Sequence, residues 1–295
     1  MAFNTTEKTV VELVIAAYGR VLAQSGITFY SNLLDTNKKT EDEIRDEMMS
    51  NTEAGLRYPT ANSNDDTVTT VFNNVLGRIP AQTGIDFYSN RLDANLTVSE
   101  LVKEVLADAK KNSGADKDQL DNKIAISQYY LDKVAANPTL TITAPDLTAI
   151  DDSSSSLTSL QSSIDTTLQY QRNTEVANSH NSYEEVTLNS AENLYFRAKE
   201  ISIAVVNGIL SDDEKATYQE EVDFIMEDLV GLANTQNESG DYIFSGGRTD
   251  TEAVQQATDG KYYYYGDNVQ RKLAVDDGQQ IADGDLASGI FFGTP

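Results

Sequence analysis

Few residues of this chain have side chains suited to catalysis. His180 is the single histidine among 295 residues, and there is no cysteine. Nucleophilic catalysis needs a nucleophile, a base and a group that orients the base, all within hydrogen-bonding reach of one another. No serine or aspartate is spaced around His180 in a recognisable pattern of this kind. We therefore expect His180 to be packed or solvated, and we predict that the protein is not an enzyme.

Carboxylates are abundant, and three clusters have the composition of a calcium site. They are Glu41-Asp42-Glu43, Asp65-Asp66 and Asp276-Asp277. An EF-hand loop needs acidic oxygens at positions 1, 3 and 5 and a glutamate at position 12, and no cluster has this spacing. We predict that the clusters are solvated surfaces and that no cofactor is bound. Weak calcium binding is the alternative that the sequence leaves open.

Two arginines occupy the same place in an internal repeat. Gly19-Arg20, Gly26, Phe29-Tyr30-Ser31-Asn32 and Leu34-Asp35 recur 58 positions later as Gly77-Arg78, Gly84, Phe87-Tyr88-Ser89-Asn90 and Leu92-Asp93. Arg20 and Arg78 either contact a sugar or a carboxylate, or they cap the C-terminus of their helix or pair with the following Asp. Repeated residues usually maintain repeated geometry, so we favour the structural role. Tyr30 and Tyr88 are the matching candidates for stacking on a sugar, with Phe29 and Phe87 in the core.

The charge of the chain narrows the class of partner. There are 47 acidic and 22 basic residues, giving a formal net charge of −25, and both halves are acidic. A nucleic-acid partner is disfavoured because that affinity depends on basic patches. No stretch approaches the roughly 20 apolar residues of a membrane-spanning helix, so we predict no membrane insertion. The N-terminus has no apolar segment of a cleavable signal peptide, so secretion would need a route independent of one.

The elements that position these residues are mainly helices. Apolar residues recur at spacings of three and four over 10–18 and 68–76, which predicts equivalent helices in the two copies. Thr40 with Glu43, and Thr97 with Glu100, have the capping-box spacing that opens a helix. We predict an all-α repeat domain over 1–137, with copies at about 8–57 and 66–115 and a third helical segment. The stretch 138–166 is rich in Thr, Ser, Asp and Pro and is predicted to be a polar linker.

Residues 167–295 are predicted to form an antiparallel helical rod followed by a small β region. Apolar residues of two successive helices follow the coiled-coil spacings of three, four and seven. Ser211 and Glu214 have capping-box spacing at the start of the second helix, and so short a connection requires antiparallel packing. We predict that the apolar stripe of this pair is an assembly interface. Its residues are Tyr183, Ala191, Leu194, Ala198, Ile201, Val205, Tyr218, Val222, Ile225 and Leu229.

Strand-like segments follow Asn234. Residues 242–244 are apolar and bounded by glycines, and the segments 262–265 and 269–275 flank Gly266-Asp267-Asn268, which favours a hairpin. Alternation along the four tyrosines at 262–265 puts two rings on each face of a strand. One pair is predicted to be core and the other a contact surface.

The second half resembles the flagellin superfamily, in particular its hook-associated members at the hook–filament junction. The motifs are Tyr170-Gln171-Arg172-Asn173, Leu188-Asn189-Ser190-Ala191-Glu192-Asn193-Leu194, Arg197-Ala198-Lys199-Glu200, Gly240-Asp241-Tyr242-Ile243-Phe244-Ser245-Gly246 and Tyr265-Gly266-Asp267-Asn268-Val269-Gln270-Arg271. The resemblance covers 168–293 and implies a helical rod with the start of an outward β domain. Family members also begin and end with long helices that form the inner tube, and neither is recognisable in this chain.

Residues 8–135 resemble the helical repeat domain at the N-termini of S-layer and RTX-type secreted proteins. The motif Gly-Arg-x-Pro-x-x-x-Gly is complete at Gly77, Arg78, Pro80 and Gly84, whereas the first copy has Leu22 in place of the proline. In S-layer proteins, domains at this position can anchor the lattice to surface polysaccharide. The resemblance therefore implies a glycan partner such as lipopolysaccharide, without assigning the residues that would bind it.

Together these features predict a non-enzymatic structural subunit of an extracellular bacterial surface assembly, of the flagellar filament or hook-associated kind. Its partners would be other copies of itself or related flagellar or surface subunits. The physical reason is exposure, because two amphipathic helices can hide only one face on each other. The alternative is an S-layer or adhesin-type module that binds lipopolysaccharide or another surface glycan through its N-terminal repeats.

Overall fold

The fold is mainly α-helical, as the sequence predicts. A computed structural model describes residues 2–111, 113–208 and 210–293. Eleven α-helices and four short strands make up this described part. The chain divides into two compact units, Met1–Leu168 and Gln169–Pro295.

The first unit contains eight helices, one 3-10 turn and the start of a ninth helix. The helices are α1 (Thr5–Tyr18), α2 (Gln24–Asp35), α3 (Glu41–Ser50), α4 (Thr52–Arg57), α5 (Asn64–Leu76), α6 (Gln82–Asp93), α7 (Val98–Lys111) and α8 (Ala115–Ala136), and the 3-10 turn is Leu147–Ala149. The predicted capping boxes form at Thr40 and Glu43 of α3 and at Thr97 and Glu100 of α7. These caps depend only on neighbouring residues, which explains why spacing alone locates them.

The internal repeat is visible in the structure as repeated geometry. Helices α2 and α6 begin and end 58 residues apart. Helices α1 and α5 both end at a glycine in the left-handed conformation, Gly19 with φ +65° and Gly77 with φ +55°. Each copy also has an equivalent hydrogen bond between its first and second helices. The side chain of Thr6 donates to Asp35, and the side chain of Asn64 donates to Asp93, each at 2.7 Å.

The core of the first unit forms around α1 and α5. Both helices contribute buried residues from consecutive turns, and α3, α7 and α8 pack against them. Among the described residues of the first unit, three charged side chains are also buried; they are Glu12, Arg45 and Lys123. Lys123 of α8 is fully buried, and its Nζ donates to the carbonyl oxygens of Asn73 at 3.1 Å and Asn74 at 2.7 Å. Lys123 thereby adds a donor to the last turn of α5, where the carbonyl oxygen of Asn73 also accepts from the backbone N–H of Gly77.

The segment predicted to be a polar linker packs onto the first unit. Leu147, Ile150 and Ile164 are buried in its hydrophobic core. The serine-rich stretch begins helix α9 (Ser154–Asn207), where Ser153 Oγ accepts from the backbone N–H of Ser156 at 3.4 Å. Serine is a preferred residue at a helix N-cap, so the composition that suggested a linker marks a helix start. Within 138–166, therefore, buried apolar residues and a helix replace a free connection.

The second unit contains most of α9, the helix α10 (Asp212–Ala233) and a small β region. The predicted capping box forms between Ser211 and Glu214 at the start of α10. The remaining elements are β1 (Val254–Gln256), β2 (Tyr262–Tyr264), β3 (Lys272–Asp276), β4 (Gln279–Ala282) and α11 (Ala287–Ile290). A second core, centred on Ile243, Phe244 and Val254, lies beneath these elements.

The strand pairing differs from the prediction. Strand β1 pairs with β2 and β3 pairs with β4, both antiparallel, so the hairpin predicted across Gly266-Asp267-Asn268 is wrong. Asp267 instead accepts hydrogen bonds from the backbone N–H groups of Gly247 and Val269, which binds this segment to an earlier loop. Residues 242–244 form one isolated bridge, Gln236 to Tyr242, rather than a strand. The tyrosines do alternate, with Tyr262 and Tyr264 against the core and Tyr263 and Tyr265 exposed.

Candidate assembly surface

The predicted stripe is partly used inside the second unit. Ala191, Ile201 and Ile225 are buried, and Val205 and Val222 are exposed. The other five residues of the predicted stripe are intermediate; they are Tyr183, Leu194, Ala198, Tyr218 and Leu229. The residues that follow coiled-coil spacing therefore serve mainly to pack the unit, and only the two valines are open to a partner.

Larger exposed apolar side chains lie off this stripe. Phe196, Ile203 and Val206 of α9, and Phe224 of α10, are 53 to 82% exposed. Sequence reasoning missed them because it followed the seam and ignored apolar residues outside it. The signal was present, since Phe196 and Ile203 are seven residues apart and so share one helix face. Exposed apolar side chains that recur on one helical unit mark an interaction surface more reliably than an isolated one.

An ion pair joins the two helices. Arg197 of α9 donates from Nε to Glu221 Oε1 at 2.5 Å and from Nη2 to Glu221 Oε2 at 3.0 Å. Its third contact is Glu200, one turn further along α9, at 3.0 Å. Hydrogen bonding to these carboxylates raises the pKa of Arg197, and the guanidinium lowers the pKa of Glu221. This two-point geometry gives a defined alignment that a single contact does not.

A groove opens beside the two helices. It has a volume of about 410 Å³ and is lined by Tyr195, Met226, Val230, Val254 and Phe292 together with their neighbours. Among the described residues that line the groove, Lys261 is the one with a charged side chain. A cavity of this size with a mostly apolar wall is suited to binding an apolar group.

These two helices lie in the part of the chain that matches a known family. Residues 147–249 match the bacterial flagellin N-terminal helical region. Residues 45–108 match a second family, described as a domain of unknown function (DUF4214). That description names no activity, so the predicted resemblance of 8–135 to S-layer and RTX-type proteins stays a prediction.

Individual relatives agree with the flagellin match. Flagellar hook-associated protein 3 of Salmonella typhimurium is 32% identical over 110 residues, which cover 37% of this chain and 34% of that protein. The Escherichia coli protein of the same name is 30% identical over 110 residues, with the same coverage. Among solved structures, a flagellar hook-associated protein 3 from Legionella pneumophila is 32% identical with a TM-score of 0.43, covering 44% of this chain and 39% of that one. The chain thus spans about a third of the length of its curated relatives.

His180 lies in the flagellin-like segment, and both of its ring nitrogens contact polar side chains. Its Nδ1 is 2.6 Å from Asp283 Oδ1, and its Nε2 is 3.2 Å from the amide nitrogen of Asn237. Asp283 is buried and also lies 3.5 Å from Arg271. Because Asp283 and Asn237 engage both ring nitrogens, neither nitrogen is left to take a proton from a nucleophile.

A second buried carboxylate, Glu184, accepts from the backbone N–H of Asp285, and burial raises its pKa.

The arginines of the repeat form ion pairs, but their partners are Glu53 and Asp116 and not the following Asp of the prediction. Arg20 binds Glu53 through two hydrogen bonds of 2.5 and 2.6 Å, and Arg78 binds Asp116 through two of 2.9 Å. Arg20 and Arg78 occupy equivalent positions of the repeat, but their partners Glu53 and Asp116 do not. With their guanidinium forks occupied, Arg20 and Arg78 are poorly placed to contact a glycan.

The aromatic pairs of the repeat are oriented opposite to the prediction. Phe29 and Phe87 are each 56% exposed, whereas Tyr88 is buried and Tyr30 packs partly buried against the core. The prediction that the phenylalanines are core is wrong because the buried stripe of α6 runs through Ile85, Tyr88 and Ser89, at spacings of three and four. Phenylalanine falls one position before the tyrosine and therefore about 100° away on the helix.

Two of the three acidic clusters contain carboxylates with structural partners. Asp42 pairs with Arg45 and Lys103, and Asp66 accepts from the backbone N–H of Ser63, the N-cap of α5. Across residues 2–111, 113–208 and 210–293, no group of three or more His, Cys, Asp or Glu side chains is arranged to hold a metal ion. No helix in the same ranges has both the length and the apolar character needed to cross a membrane.

Proposed function

We propose that the chain is a non-enzymatic structural subunit of an extracellular bacterial surface assembly of the flagellar type. Residues 167–295 carry the assembly function in this proposal, and residues 1–137 form an appended repeat domain. Its partners are other copies of the chain or related flagellar subunits. Proteins named flagellar hook-associated protein 3 are its similar relatives, which supports this class of function.

One observation carries the proposal. The flagellin-like segment exposes Phe196, Ile203, Val206 and Phe224 to solvent on two long helices. Exposed apolar side chains of this size and number are unfavourable in an isolated protein and become favourable when a partner covers them. The surrounding carboxylates keep the free subunit soluble before it assembles.

Sedimentation velocity of the full chain over a wide range of concentrations tests the proposal. We expect larger species as concentration rises, and a shift toward monomer in Phe196→Ser and Phe224→Ser. Leu56→Ser is the matched control, because Leu56 is equally apolar and exposed but lies in α4. A monodisperse monomer at the highest concentration, with or without hook-type subunits added, would contradict the proposal.

The glycan-binding alternative has no geometric support from Arg20, Arg78, Tyr30 or Tyr88. The two arginines are paired, and the two tyrosines pack against their own core. Lipopolysaccharide binding by the repeats therefore stays a prediction from sequence.

A further inference from the structure

The end of α9 forms an apolar tip. Ile203, Val205 and Val206 are all exposed there, and Val206 is the most exposed of them at 82%. The sequence from Ile201 to Leu210 contains no charged residue. This is unusual for the region, because α10, which follows, carries eight carboxylates and one lysine.

The groove described above is the complementary feature. Its wall is formed by apolar side chains from α9, α10, β1, β2 and the residues after α11, and its exposed members include Tyr195, Met226 and Phe292. Val206 lies 11 residues beyond Tyr195 in α9, which is about 16 Å along a helix. The tip of one molecule therefore cannot fill its own groove.

Charge limits how two copies of this unit can meet. Any contact between their carboxylate-rich faces brings like charges together, which disfavours association. The tip and the groove are both free of carboxylates. Lys261, exposed on the wall of the groove, is positioned to attract the exposed acids Asp212 and Asp213 that follow the tip.

We propose that the tip of one copy, formed by Ile203, Val205 and Val206, docks into the groove of a second copy. This inference rests on the proposed function and adds the two surfaces that meet. Tip and groove are different surfaces of the same unit, so the contact is heterologous. Repeated contacts of this type build a ring if the rotation closes and an open filament if it does not.

Disulfide cross-linking of the full chain tests the contact, since the natural chain has no cysteine. Val206→Cys is mixed with Met226→Cys under mild oxidation, and Phe292→Cys replaces Met226→Cys as a second reporter in the groove. We expect at least ten-fold more linked dimer from these mixtures than from Val186→Cys with Met226→Cys. Val186 is the matched control, because it is also an exposed valine of α9. Lys261→Glu is expected to lower the yield several-fold at low salt and less at high salt.

The outcomes separate this inference from the proposed function. If oligomers form but tip and groove cysteines link no better than the Val186 control, the docking contact is wrong and the assembly function stands. If the chain stays monomeric at every concentration, with or without hook-type subunits added, both are wrong; if it assembles only with hook-type subunits, the docking contact is wrong and the assembly function stands. A ladder of linked multimers from the double variant Val206→Cys, Met226→Cys is the result expected for a head-to-tail contact.

Discussion

Ala16 and Asn74 occupy equivalent positions of the two repeats, 58 residues apart, and they touch each other. The Asn74 amide nitrogen lies 3.5 Å from the Ala16 carbonyl oxygen and donates to the Tyr58 hydroxyl at 2.9 Å. Both residues are buried, at 0% and 1% exposure. The copies therefore pack through corresponding helices, α1 and α5, and the substitution of asparagine for alanine in the second copy provides a polar contact where they meet.

Asn74→Ala is expected to destabilise the first unit by about 1–3 kcal/mol. The substitution removes the donor to the Tyr58 hydroxyl, which keeps only its long hydrogen bond to the Ala16 carbonyl oxygen at 3.4 Å, and it leaves a space where the buried Asn74 side chain packed. Chemical denaturation followed by far-UV circular dichroism measures the change. Asn62→Ala, at an exposed position, is the control and is expected to change stability by less than about 0.5 kcal/mol. Equal effects of the two substitutions would show that the Asn74 contact contributes nothing.

The stability of the first unit is expected to rise with pH above neutrality because of Lys123. Burial lowers the pKa of Lys123 to about 8, whereas an unfolded lysine has a pKa of about 10.4. Between these values the unfolded chain binds a proton that the folded chain has released, so unfolding becomes less favourable as pH rises. The gain is about 3 kcal/mol across this range.

Lys123→Met is the comparison that isolates this effect. Methionine keeps an unbranched side chain but cannot titrate, so the variant is expected to lack the rise between pH 8 and 10. Tyr18, whose pKa burial raises to about 12, titrates in both proteins and cancels in the difference. Parallel stability curves for the two proteins would contradict the assignment.

Gly77→Ala is expected to destabilise the first unit by at least about 2 kcal/mol. A left-handed conformation disfavours a side chain by roughly 1–2 kcal/mol. The added methyl group would also overlap the Gln119 amide and lie 2.9 Å from the Ile150 carbonyl oxygen. Gly55→Ala, in the helix α4 with no atom near its added methyl group, is expected to stabilise by about 0.5–1 kcal/mol. Thermal unfolding midpoints that move in the same direction for both variants would refute the argument.

His180→Leu is expected to destabilise the second unit by about 1–3 kcal/mol, because Asp283 loses its nearest hydrogen-bond partner while remaining buried. His180→Gln retains a side-chain N–H donor and is expected to recover part of this loss. Hydrogen exchange at the backbone amides of β3 and β4 reports the change locally. A faster exchange in the leucine variant that the glutamine variant does not reduce would count against the hydrogen bond to Asp283.

Arg78→Ala is expected to lower stability by about 0.5–1 kcal/mol, the range for ion pairs that are partly exposed, and to leave any binding to lipopolysaccharide unchanged. Denaturation at low and high salt, together with a lipopolysaccharide pull-down, measures both properties. Loss of pull-down without loss of stability would instead assign Arg78 to a glycan site.

Local sequence patterns predicted the helices better than the contacts between distant elements. The capping residues Thr40, Thr97 and Ser211 define helix starts because their partners lie three residues away. The pairing of β1 with β2 depends on tertiary packing, and the turn residues at 266–268 gave the wrong partner. The start of α9 was missed because serine is common both in linkers and at helix N-caps.

The sequence also predicted only part of the candidate assembly surface. Coiled-coil spacing identified Ala191, Ile201 and Ile225, which the structure buries. The exposed Phe196 and Val206 follow no pattern that separates a partner-facing side chain from a core one. Only the packed structure shows which apolar residues are already covered.

The contact between Arg197 and Glu221 affects how α9 and α10 are aligned along their length. Two amphipathic helices without such an ion pair can shift along each other by one turn, about 5.4 Å, and still cover most of their apolar surface. The two hydrogen bonds from the Arg197 guanidinium to the Glu221 carboxylate favour one of these alignments. Under the proposed docking contact, a single alignment keeps the distance between the tip and the groove constant, so an assembly built on that contact would have a uniform axial repeat.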